Sequence, residues 1–495
     1  MSQQSFIQQV KDQLSLTAGL PSPHPTASYW QEPPALIATI QSDELPSVTD
    51  IAIIGSGVTG TSVAHSLLND SRAKAVRVTI LEARNACSGA TGRNGGHLVS
   101  DIIDHFQDFA DALGVEEAVK MLRFSEANIA ELKAVVSQLD ASEQDAVELR
   151  ELNATAVVGD KATLDHSKAS FELMKRSIEK TTLEYGLTED QNVIKNTYKY
   201  REGLAVFEQK GGCALWPYRL ITILQKRLLE SHKNHFSIET NTPVLSISFQ
   251  AEEGQTDNGY LLQTPRGVIR ARKVIHCTNG YSSHLLTNLT GVIYPLRGTV
   301  AVQDPGDSFP RLGNELSWAK VHKGYFDSER NTLTTGLYYA QQNAKSGEIV
   351  IGGESQEVKN LLTSDDSEVS PTAKEHISSI IPKIYVDADN PKVKKIWSGI
   401  MGFTPDGLPL IGNLGKRVTG REGTGEWIAA GFNGHGMDKC WLSGQAVARM
   451  VLGEDVPPWL PRSFLADDKR LQLFTLDKAV EALTGAFAGS SLESD

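Results

Sequence analysis

The chain has 495 residues, of which 40% are hydrophobic and 22% are charged. A chain of this length exceeds one ordinary domain, and its composition is that of a soluble globular enzyme. Lys and Arg number 48 against 60 Asp and Glu, which gives a net charge of −12. That acidic balance argues against a nucleic-acid partner and against an anionic membrane surface.

The sequence carries none of the usual signals for secretion or membrane insertion. No apolar run reaches about 18 residues, and the first residues lack the basic and apolar regions of a signal peptide. The final letters, SLESD, are not the S-K-L peroxisomal address. Four cysteines stand far apart, as free thiols in a reducing compartment do: Cys87, Cys213, Cys277 and Cys440. We therefore expect a cytoplasmic protein without a membrane span.

The N-terminal region is predicted to begin with a short peripheral helix. Phe6, Val10 and Leu14 are spaced to form one helical face. A proline-rich stretch then leads to Tyr29 and Trp30. Two adjacent aromatic residues in such a stretch pack against a neighbouring domain or lie near a substrate entrance, and the sequence leaves both possibilities open.

A strand, a tight turn and a helix are predicted over 51–68. The apolar run 51–54 is typical of a buried parallel strand. The glycines that follow have the pattern G-x-G-x-x-G, which permits a tight turn, close approach to a pyrophosphate and packing of helix on strand. About 20 residues later a second strand ends at Glu82, whose carboxylate can accept hydrogen bonds from ribose hydroxyls. The turn residues predicted to contact a dinucleotide are Gly55, Ser56, Gly57, Val58, Thr59 and Gly60.

The segment after Glu82 is too rich in small residues for an ordinary connection between strand and helix. A backbone of this kind can lie against a flat ring and aim N–H groups at ring and phosphate oxygens. An arginine within it can add positive charge near the pyrophosphate. The residues predicted to contact the cofactor here are Ala83, Arg84, Ser88, Gly89, Thr91, Arg93, Asn94, Gly95 and Gly96.

On these residues the chain resembles the D-amino-acid-oxidase (DAO) superfamily of flavoproteins. It looks most like the γ-glutamylputrescine oxidase-like branch, in which an S-G-R-N-G-G segment follows the ribose acid and an S-Y-aromatic segment precedes the first strand. The resemblance extends from Ser28 to about Gly453 and implies FAD as the cofactor. It also implies an α/β fold, in which a Rossmann-type FAD-binding domain is interleaved with an α+β substrate domain. That second domain carries a large antiparallel sheet, as in the glutathione-reductase-2-like or DAO fold.

Residues 101–200 are predicted to be mostly helical, because apolar residues recur at three- and four-residue spacing. A short strand is predicted to follow at 203–207. The glycine-containing stretch 211–218 is then predicted to turn into a helix at 220–231. Within this turn, Trp216 is interpreted as a core or hinge aromatic, with a place in an active-site wall as the alternative. The three predicted helices before the strand span 101–113, 116–139 and 161–185.

A hairpin over 260–270 is predicted to lead into an apolar strand that ends in a Thr-Asn-Gly turn. The resemblance implies that this turn, Thr278, Asn279 and Gly280, packs under the dinucleotide. It also implies that Val244 covers the adenine.

A long antiparallel region is predicted after Arg297, with strands at 298–303, 318–322, 333–339 and 349–353. Tyr338 and Tyr339 match a Tyr-Tyr strand of the resembling branch. Neighbouring strand residues face opposite ways, so only one of the two can face a pocket. Arg297 is a candidate substrate anchor, and a structural ion pair is an equally open interpretation.

The segments 396–412 and 427–438 resemble the C-terminal signature of the superfamily. A parallel strand at 427–430 and a glycine-rich turn are predicted to precede a helix at 439–452. The positive end of that helix would favour negative charge arriving at the pyrimidine end of the flavin. His435 is a candidate hydrogen-bond donor at the flavin edge, and it joins Tyr338, Tyr339 and Arg297 as a catalytic candidate. The cofactor contacts predicted here are Gly402, Gly431, Asn433, Gly434, His435 and Gly436.

Three positions depart from patterns found in the superfamily. Asp438 stands where sarcosine-oxidase-like relatives carry a lysine that holds the substrate carboxylate, so an amine fits better than a simple α-amino acid. Gly399 and Arg93 stand where other relatives attach FAD through a cysteine or a histidine. We therefore expect non-covalent FAD, although Cys87 and Cys440 are thiols that could contradict this expectation.

The expected function is FAD-dependent oxidation of a C–N bond in an amine or amino-acid-like substrate. The expected product is an imine, formed by hydride transfer to flavin N5, with O2 as acceptor and H2O2 as a further product. The alternatives are a dehydrogenase with a non-oxygen acceptor, a ring-forming oxidase of specialised metabolism, and an FAD-binding protein without amine chemistry. No metal is expected, and the sequence predicts no oligomeric state.

The predicted domain organisation alternates between two lobes, with extensions at both ends. The extensions are 1–45 and 456–495. The FAD-binding domain is predicted to comprise 46–110, 205–295 and 392–455, and the substrate domain 111–204 and 296–391.

Overall fold

The computed structural model describes residues 3–251, 259–485 and 487. Within these ranges the strands form two sheets, one of eight and one of ten strands. The first two residues of the predicted extension 1–45, and the SLESD end of the extension 456–495, lie outside the described residues.

Fourteen α-helices lie in the described ranges. No helix there combines the length and the apolar character that a membrane span requires. The α-helices are α1 (Gln3–Leu14), α2 (Val58–Leu68), α3 (Ile102–Leu113), α4 (Val115–Ser137), α5 (Ala141–Val147), α6 (Lys161–Ser177), α7 (Pro217–Ser231), α8 (Val358–Leu361), α9 (Pro371–Ser378), α10 (Ile381–Ile384), α11 (Lys416–Thr419), α12 (Cys440–Val451), α13 (Asp468–Leu473) and α14 (Leu476–Gly485). The remaining helical turns are 3₁₀ at Tyr29–Gln31, Ser71–Ala73, Ala90–Gly92, Asn279–His284, Thr287–Leu289 and Arg462–Phe464, and π at Val193–Thr197.

The strands are numbered here in chain order. They are β1 (Val48–Ile54), β2 (Val78–Leu81), β3 (His97–Leu98), β4 (Arg150–Val158), β5 (Glu184–Thr188), β6 (Ala205–Ala214), β7 (Phe236–Glu239), β8 (Ser246–Gln250), β9 (Gly259–Thr264), β10 (Gly267–His276), β11 (Tyr294–Asp304), β12 (Leu316–Val321), β13 (Tyr325–Asp327), β14 (Thr332–Gln342), β15 (Ile349–Glu357), β16 (Lys392–Phe403), β17 (Leu410–Asn413) and β18 (Glu426–Ala430).

The first sheet has the parallel centre expected of a dinucleotide-binding domain. β1 pairs in parallel with β2 on one side and β10 on the other, and the parallel run continues to β7 and β18. β17 closes one edge in the antiparallel direction, and the hairpin of β9 and β10 forms as predicted. The buried, β-branched run of β1 suits a strand covered on both faces. The predicted Rossmann-type domain is thereby confirmed.

The second sheet is the large, mostly antiparallel sheet predicted for the substrate domain. Its strand order is β16-β11-β15-β14-β12-β4-β6-β3, with β13 paired to β14 and β5 to β6. Among the described strands of this sheet, β12 and β4 form the parallel pair. The predicted combination of two domains in one α/β fold is therefore confirmed.

Two strands lie where mostly helix was predicted, between residues 101 and 200. They are β4 and β5, and both pair with β6. Helix α6 accordingly ends at Ser177, short of the predicted 185. The helical prediction was wrong there because strands depend on partners distant in sequence, which local apolar spacing does not reveal.

The turn predicted at 211–218 was also wrong. β6 continues through this stretch to Ala214 and remains paired with β4. Gly211 has φ +85° and is skipped by the pairing register, so it forms a β-bulge inside the strand. The following helix begins at Pro217, where the missing N–H of proline costs nothing.

Three strands inside the ranges predicted for the FAD-binding domain pair within the second sheet. They are β3, β6 and β16. The alternation of a strand indicates which side chains are buried, but it does not name the neighbouring strand. The domain boundaries stay a prediction.

The predicted N-terminal amphipathic helix is confirmed as α1. Phe6, Val10 and Leu14 are buried in one apolar cluster with Leu296 of β11 and Leu483 of α14. The N-terminal helix and the last described helix therefore cover the same part of the substrate sheet.

Helices α2 and α12 pack so closely that Gly444 has no room for a side chain. A Cβ there would lie 2.7 Å from Cβ of Ser62 and 2.8 Å from the carbonyl oxygen of Thr59. The hydroxyl of Ser62 also donates to the carbonyl of Trp441 at 2.5 Å. This contact fixes the helix that follows the first glycine turn against the C-terminal part of the chain.

We expect Gly444→Ala to lower the free energy of unfolding by about 1–3 kcal/mol, because overpacking forces the two helices apart. Gly485→Ala is the matched control, since a Cβ at that helical glycine meets no described atom within 4 Å. Denaturation midpoints of both variants measure the difference. Equal midpoints would contradict the close helix contact.

Candidate active site

The first glycine turn is fixed by contacts between backbone atoms. Gly55 has φ +108°, and a Cβ on it would lie 2.5 Å from the carbonyl oxygen of Cys277. A Cβ on Gly60 would lie 2.0 Å from the carbonyl oxygen of Gly55. Only glycine fits both positions. The turn between β1 and α2 is thereby held against the end of β10.

Glu82 lies at the end of β2 with its carboxylate directed at this turn. It accepts hydrogen bonds from the Ser56 N–H at 3.0 Å, the Ser56 hydroxyl at 2.6 Å and the Arg84 N–H at 3.0 Å. Val244, predicted to cover an adenine, is buried in one cluster with Ile54 and Leu81 at the ends of the two central strands. Glu82 and Val244 thus both lie near the ends of the two central strands, and their contacts with a ribose and an adenine stay predictions.

The small-residue loop packs directly on the first turn of α2. The hydroxyl oxygen of Thr91 accepts the Val58 N–H at 3.0 Å. A Cβ on Gly57 would lie 2.9 Å from that same oxygen. The loop and the glycine turn therefore form one continuous surface.

Two arginines of this loop region share one carboxylate. Arg84 donates to both oxygens of Asp366 at 2.9 Å, and Arg93 lies 3.5 Å from the same group. Burial lowers the pKa of Arg93 to about 10. Although burial opposes it, Asp366 raises the pKa of Arg84. Because Glu82 also acts on Arg84, the two guanidinium groups face two carboxylates and the charges beside the loop balance.

The side chain of Arg93 is held by protein groups. It donates to the carbonyls of Ser88 at 2.8 Å, Ser398 at 2.7 Å and Thr26 at 2.7 Å. Arg93 is 2% exposed. Its main contribution is therefore to brace the loop, and a direct contact with pyrophosphate stays a prediction.

The Thr-Asn-Gly turn connects the two C-terminal signature segments. The side-chain oxygen of Asn279 accepts the N–H groups of Gly431 at 3.1 Å and Phe432 at 3.3 Å. A Cβ on Gly280 would lie 2.6 Å from the carbonyl oxygen of Met401, and one on Gly402 would lie 2.7 Å from Asn279. Three segments predicted to contact the cofactor therefore meet here.

The terminal turn is stabilised by its own asparagine. The side-chain oxygen of Asn433 accepts the Thr404 N–H at 2.8 Å, and its amide donates to the Gly431 carbonyl at 2.7 Å. The Asn433 N–H donates to the Gly402 carbonyl at 2.8 Å. Gly434 faces Met401, whose sulfur would lie 3.4 Å from a Cβ at that glycine. The predicted residues of the turn thus lie on one edge of the candidate site.

Four charged or titratable side chains gather behind this turn. The Lys439 ammonium donates to Asp101 at 2.5 Å and to both oxygens of Asp438 at 2.9 Å. The ring of His435 lies 3.4 Å from Asp101. Burial raises the pKa of Asp438 and lowers that of His435, while Lys439 and His435 outweigh burial and lower the pKa of Asp101. His435 is therefore neutral near neutral pH.

The structure pairs Asp438 with protein groups. Besides Lys439, it accepts a hydrogen bond from the Ser125 hydroxyl at 2.5 Å, which ties the turn to helix α4. Nearby, Asn128 on the same helix accepts the Leu442 N–H at 2.9 Å. One backbone N–H in the first turn of α12 is thus already bonded to a side chain. This is the helix end that was predicted to point at the flavin.

Of the two adjacent tyrosines, Tyr339 faces the small-residue loop. A Cβ on Gly95 would lie 2.6 Å from the Tyr339 ring, and the ring meets His97 edge-on at 5.9 Å between centroids. The Tyr338 hydroxyl instead lies 2.9 Å from the ring nitrogen of His376 on α9. The alternation predicted from the strand is present, with Tyr339 on the side of the small-residue loop and Tyr338 on the side of α9.

Arg297 lies away from the loop, against the segment that follows α8. It donates to the Asp365 carbonyl at 3.1 Å and lies 3.7 Å from the Glu368 carboxylate. One of its terminal nitrogens is buried and has no hydrogen-bond partner among the described residues. Glu368 is the partner that a structural ion pair of Arg297 requires, whereas the role of substrate anchor stays a prediction.

Glu354 is a buried acid beside the site that sequence reasoning missed. It accepts the Thr299 N–H and, at 2.8 Å, the Gln356 amide. Its carboxylate would lie 3.6 Å from a Cβ on Gly298, the residue paired with Gly399. Burial raises its pKa to about 8. The available signal was an acid placed directly after the apolar and glycine run 349–353 of β15.

A comparison with protein-family profiles matches residues 50–450 to DAO, described as FAD dependent oxidoreductase. The chain belongs to this family of FAD-dependent oxidoreductases. The predicted superfamily and the predicted cofactor, FAD, are both confirmed.

Similar proteins agree with this family at low sequence identity. "Probable oxidoreductase OrdL" of Rhizobium meliloti is 22% identical over 412 residues, which cover 82% of this chain and 83% of the relative. "Gamma-glutamylputrescine oxidoreductase" of Escherichia coli is 21% identical over 437 residues, which cover 87% and 89%. Glycine oxidase from Geobacillus kaustophilus superposes with a TM-score of 0.63 at 18% identity, covering 85% of this chain and 99% of that one. L-proline dehydrogenase from P. horikoshii gives a TM-score of 0.63 at 18% identity, covering 90% and 100%. The structural likeness shows the shared fold.

The gathered residues fit FAD. Ser88 Oγ and Arg84 Nε are buried without a hydrogen-bond partner among the described residues, although buried polar atoms are normally paired. A Cβ on Gly89 would meet no described atom within 4 Å, so the loop borders open space there. Glu82 would hold the ribose, and the N–H groups of the first turn and of the start of α2 would hold the pyrophosphate. The individual contacts stay predictions.

The raised pKa of Glu354 predicts a stability effect. Its folded pKa of about 8 exceeds its ordinary value of 4.5, so the folded state keeps a proton that the unfolded state has lost. The proton on Glu354 stabilises the folded state fully below the ordinary pKa of 4.5. This stabilisation is lost as the pH rises through the folded pKa of about 8. Between about pH 5 and pH 8, we expect stability to fall relative to Glu354→Gln, by at most about 1.4 kcal/mol per pH unit.

Denaturation midpoints measured across this pH range test the expectation. Glu357→Gln is the matched control on the same strand, because the pKa of Glu357 is lowered by its hydrogen bonds with Thr372 and Asn360, although burial opposes them. That control should follow the natural protein throughout the range. Parallel curves for the natural protein and Glu354→Gln would contradict the burial described for this acid.

Proposed function

We propose that this protein oxidises the C–N bond of a small amine or amino-acid-like compound to an imine, with O2 as the electron acceptor. When bound, FAD supplies the redox chemistry by accepting a hydride at N5. The imine then hydrolyses to an aldehyde and an amine or ammonia, and O2 is reduced to H2O2. A cytoplasmic location remains part of this proposal.

The observation that carries the proposal is that the small-residue loop and the terminal turn both contact strand β16, at Gly399 and Gly402 respectively. Loop and turn come from opposite ends of the chain, and Tyr339 lies against Gly95 of the loop. An arrangement of this kind can hold a substrate carbon beside the flavin ring and exclude water around it. Two relatives named above, for γ-glutamylputrescine and for glycine, support substrates with a nitrogen next to the oxidised carbon.

The charges behind the terminal turn favour an amine over an amino acid bound by its carboxylate at this end. Lys439 has three N–H donors, and its contacts are to Asp101, Asp438 and the His435 carbonyl. Anchoring a carboxylate would break one of these contacts. Burial raises the pKa of Asp438 to about 7, so near neutral pH the net charge of the cluster lies between zero and −1, and it has no spare positive charge to attract an anion.

The side chains have separate roles in the proposed reaction. Tyr339 serves as a rigid wall that orients the substrate, because its ring is fixed between Gly95 and Gly352. His435, neutral, holds its one ring proton on Nδ1, which faces the Asn433 carbonyl at 3.1 Å and Asp101, so its other ring nitrogen can accept a hydrogen bond at the edge of the site. The required substrate form is the neutral amine, which carries the lone pair that assists hydride loss.

We expect the purified protein with FAD to consume O2 and form one H2O2 per aldehyde when given a reactive amine. The panel should pair each amine with its α-carboxylated analogue, so that the effect of the carboxylate is measured directly. The proposed charge pattern predicts a higher kcat/KM for the member without the carboxylate. The reverse preference would contradict the substrate class.

The same assay distinguishes the alternative functions. Reduction of an artificial electron acceptor without peroxide would indicate a dehydrogenase. A product whose mass shows internal capture of the imine would indicate a ring-forming oxidase. Bound FAD with no turnover of any amine would overturn the proposal in favour of an FAD-binding protein.

A further inference from the structure

The segment 26–31, called the strap here, lies against the small-residue loop and donates to its carbonyl groups. The Ser28 hydroxyl donates to the Gly92 carbonyl at 2.7 Å. The Gln31 amide donates to the same carbonyl at 3.1 Å, and the Trp30 indole N–H donates to the Asn94 carbonyl at 2.5 Å. Three side chains of the strap thus donate hydrogen bonds to carbonyl groups of one loop.

The loop binds the strap in return. Arg93 donates to the Thr26 carbonyl at 2.7 Å and to the Thr26 hydroxyl at 3.1 Å. The Thr26 N–H donates to the Asp366 carbonyl at 2.8 Å, and the Ser398 N–H donates to the Thr26 hydroxyl at 3.0 Å. The strap therefore joins the cofactor loop to two segments of the substrate lobe.

Aromatic packing fixes the strap in place. Trp30 is 1% exposed, and its carbonyl accepts the Trp216 indole N–H at 2.7 Å. Tyr29 stacks on Trp216 with ring centroids 5.2 Å apart, and its hydroxyl donates to Glu348 at 3.1 Å. Trp216 is thus a core aromatic, and the paired aromatics of the strap pack on neighbouring structure.

The direction of these hydrogen bonds determines which backbone groups of the loop point away from the strap. In a trans peptide the carbonyl and the next N–H point in opposite directions. The Ser88 carbonyl accepts from Arg93 at 2.8 Å, and the Asn94 carbonyl accepts from the strap. The N–H groups of Gly89 and Gly95 therefore point away from these partners. N–H groups attract phosphate and flavin oxygens, whereas carbonyl oxygens would repel them.

We propose that the strap is part of the FAD site. By holding the carbonyls of Gly92 and Asn94, it keeps the loop in the conformation that directs N–H groups at the cofactor. The strap sets the affinity for FAD and touches no substrate, so it is a positioning element. The proposal rests on the FAD cofactor and is independent of the substrate proposed above.

The test compares Ser28→Ala/Gln31→Met with the natural protein in FAD binding. FAD is removed from the purified proteins, and the dissociation constant is measured by quenching of flavin fluorescence. We expect the double variant to bind FAD at least about tenfold more weakly, which equals about 1.4 kcal/mol. Gln144→Met is the matched control, because that amide donates to the Leu139 carbonyl at 2.8 Å, away from the loop. The control should bind FAD within about twofold of the natural protein.

A second readout separates cofactor positioning from general stability. FAD raises the melting temperature of a protein that binds it, and the rise grows with the logarithm of the FAD concentration divided by the dissociation constant. We expect that rise to be smaller in the double variant than in the natural protein. If the double variant does not fold without FAD, Gln31→Met alone is measured, with a predicted weakening of about threefold.

An unchanged dissociation constant in the folded double variant, or in folded Gln31→Met, would overturn the role of the strap. Failure of the natural protein itself to bind FAD would instead overturn the cofactor site. Failure of every amine to react, with FAD binding still weakened by the strap variants, would overturn only the proposed substrate chemistry.

Discussion

Contact of backbone with backbone at a few glycines is the constraint on which the rest of this structure depends. At Gly60 and Gly280 the space for a Cβ is taken by carbonyl oxygens of Gly55 and Met401. The first contact closes the turn between β1 and α2, and the second joins the turn after β10 of the first sheet to β16 of the second without side chains between them. The cofactor can then be bound largely by N–H groups and helix ends, and side chains are left to brace the loops.

Buried charges join the two lobes around this backbone framework. Asp366 lies in the substrate lobe and pairs with Arg84 and Arg93 of the cofactor loop. Behind the terminal turn, Lys439 pairs with Asp101 and Asp438, which connects the turn to the helices that follow the loop. Breaking a buried pair leaves an uncompensated charge, so each cluster holds its segments firmly in position. The geometry of the site thus depends on residues that need not touch the substrate.

Local patterns in the sequence predicted much of the fold and part of the site. The first strand, the glycine turn and Glu82 could be recognised because they belong to one βαβ unit. The opposite directions of Tyr338 and Tyr339 followed from the alternation of side chains along a strand. β4, β5 and the sheet membership of β16 could not be predicted, because pairing partners lie far away in sequence. The same reason hid Asp366, which lies 282 positions from Arg84. Arg93 was assigned to the pyrophosphate because two of its partners, Thr26 and Ser398, lie 67 and 305 positions away in sequence.

The central claim is that the protein binds FAD without a covalent bond and that an amine reduces it. The most direct measurement is the visible absorbance of the bound flavin during anaerobic addition of single amines, followed by acid precipitation. We expect one class of amine to bleach the flavin absorbance, and we expect acid to release the FAD into solution. A flavin that no amine bleaches would contradict the proposed reaction. A flavin that stays with the precipitated protein would contradict non-covalent binding.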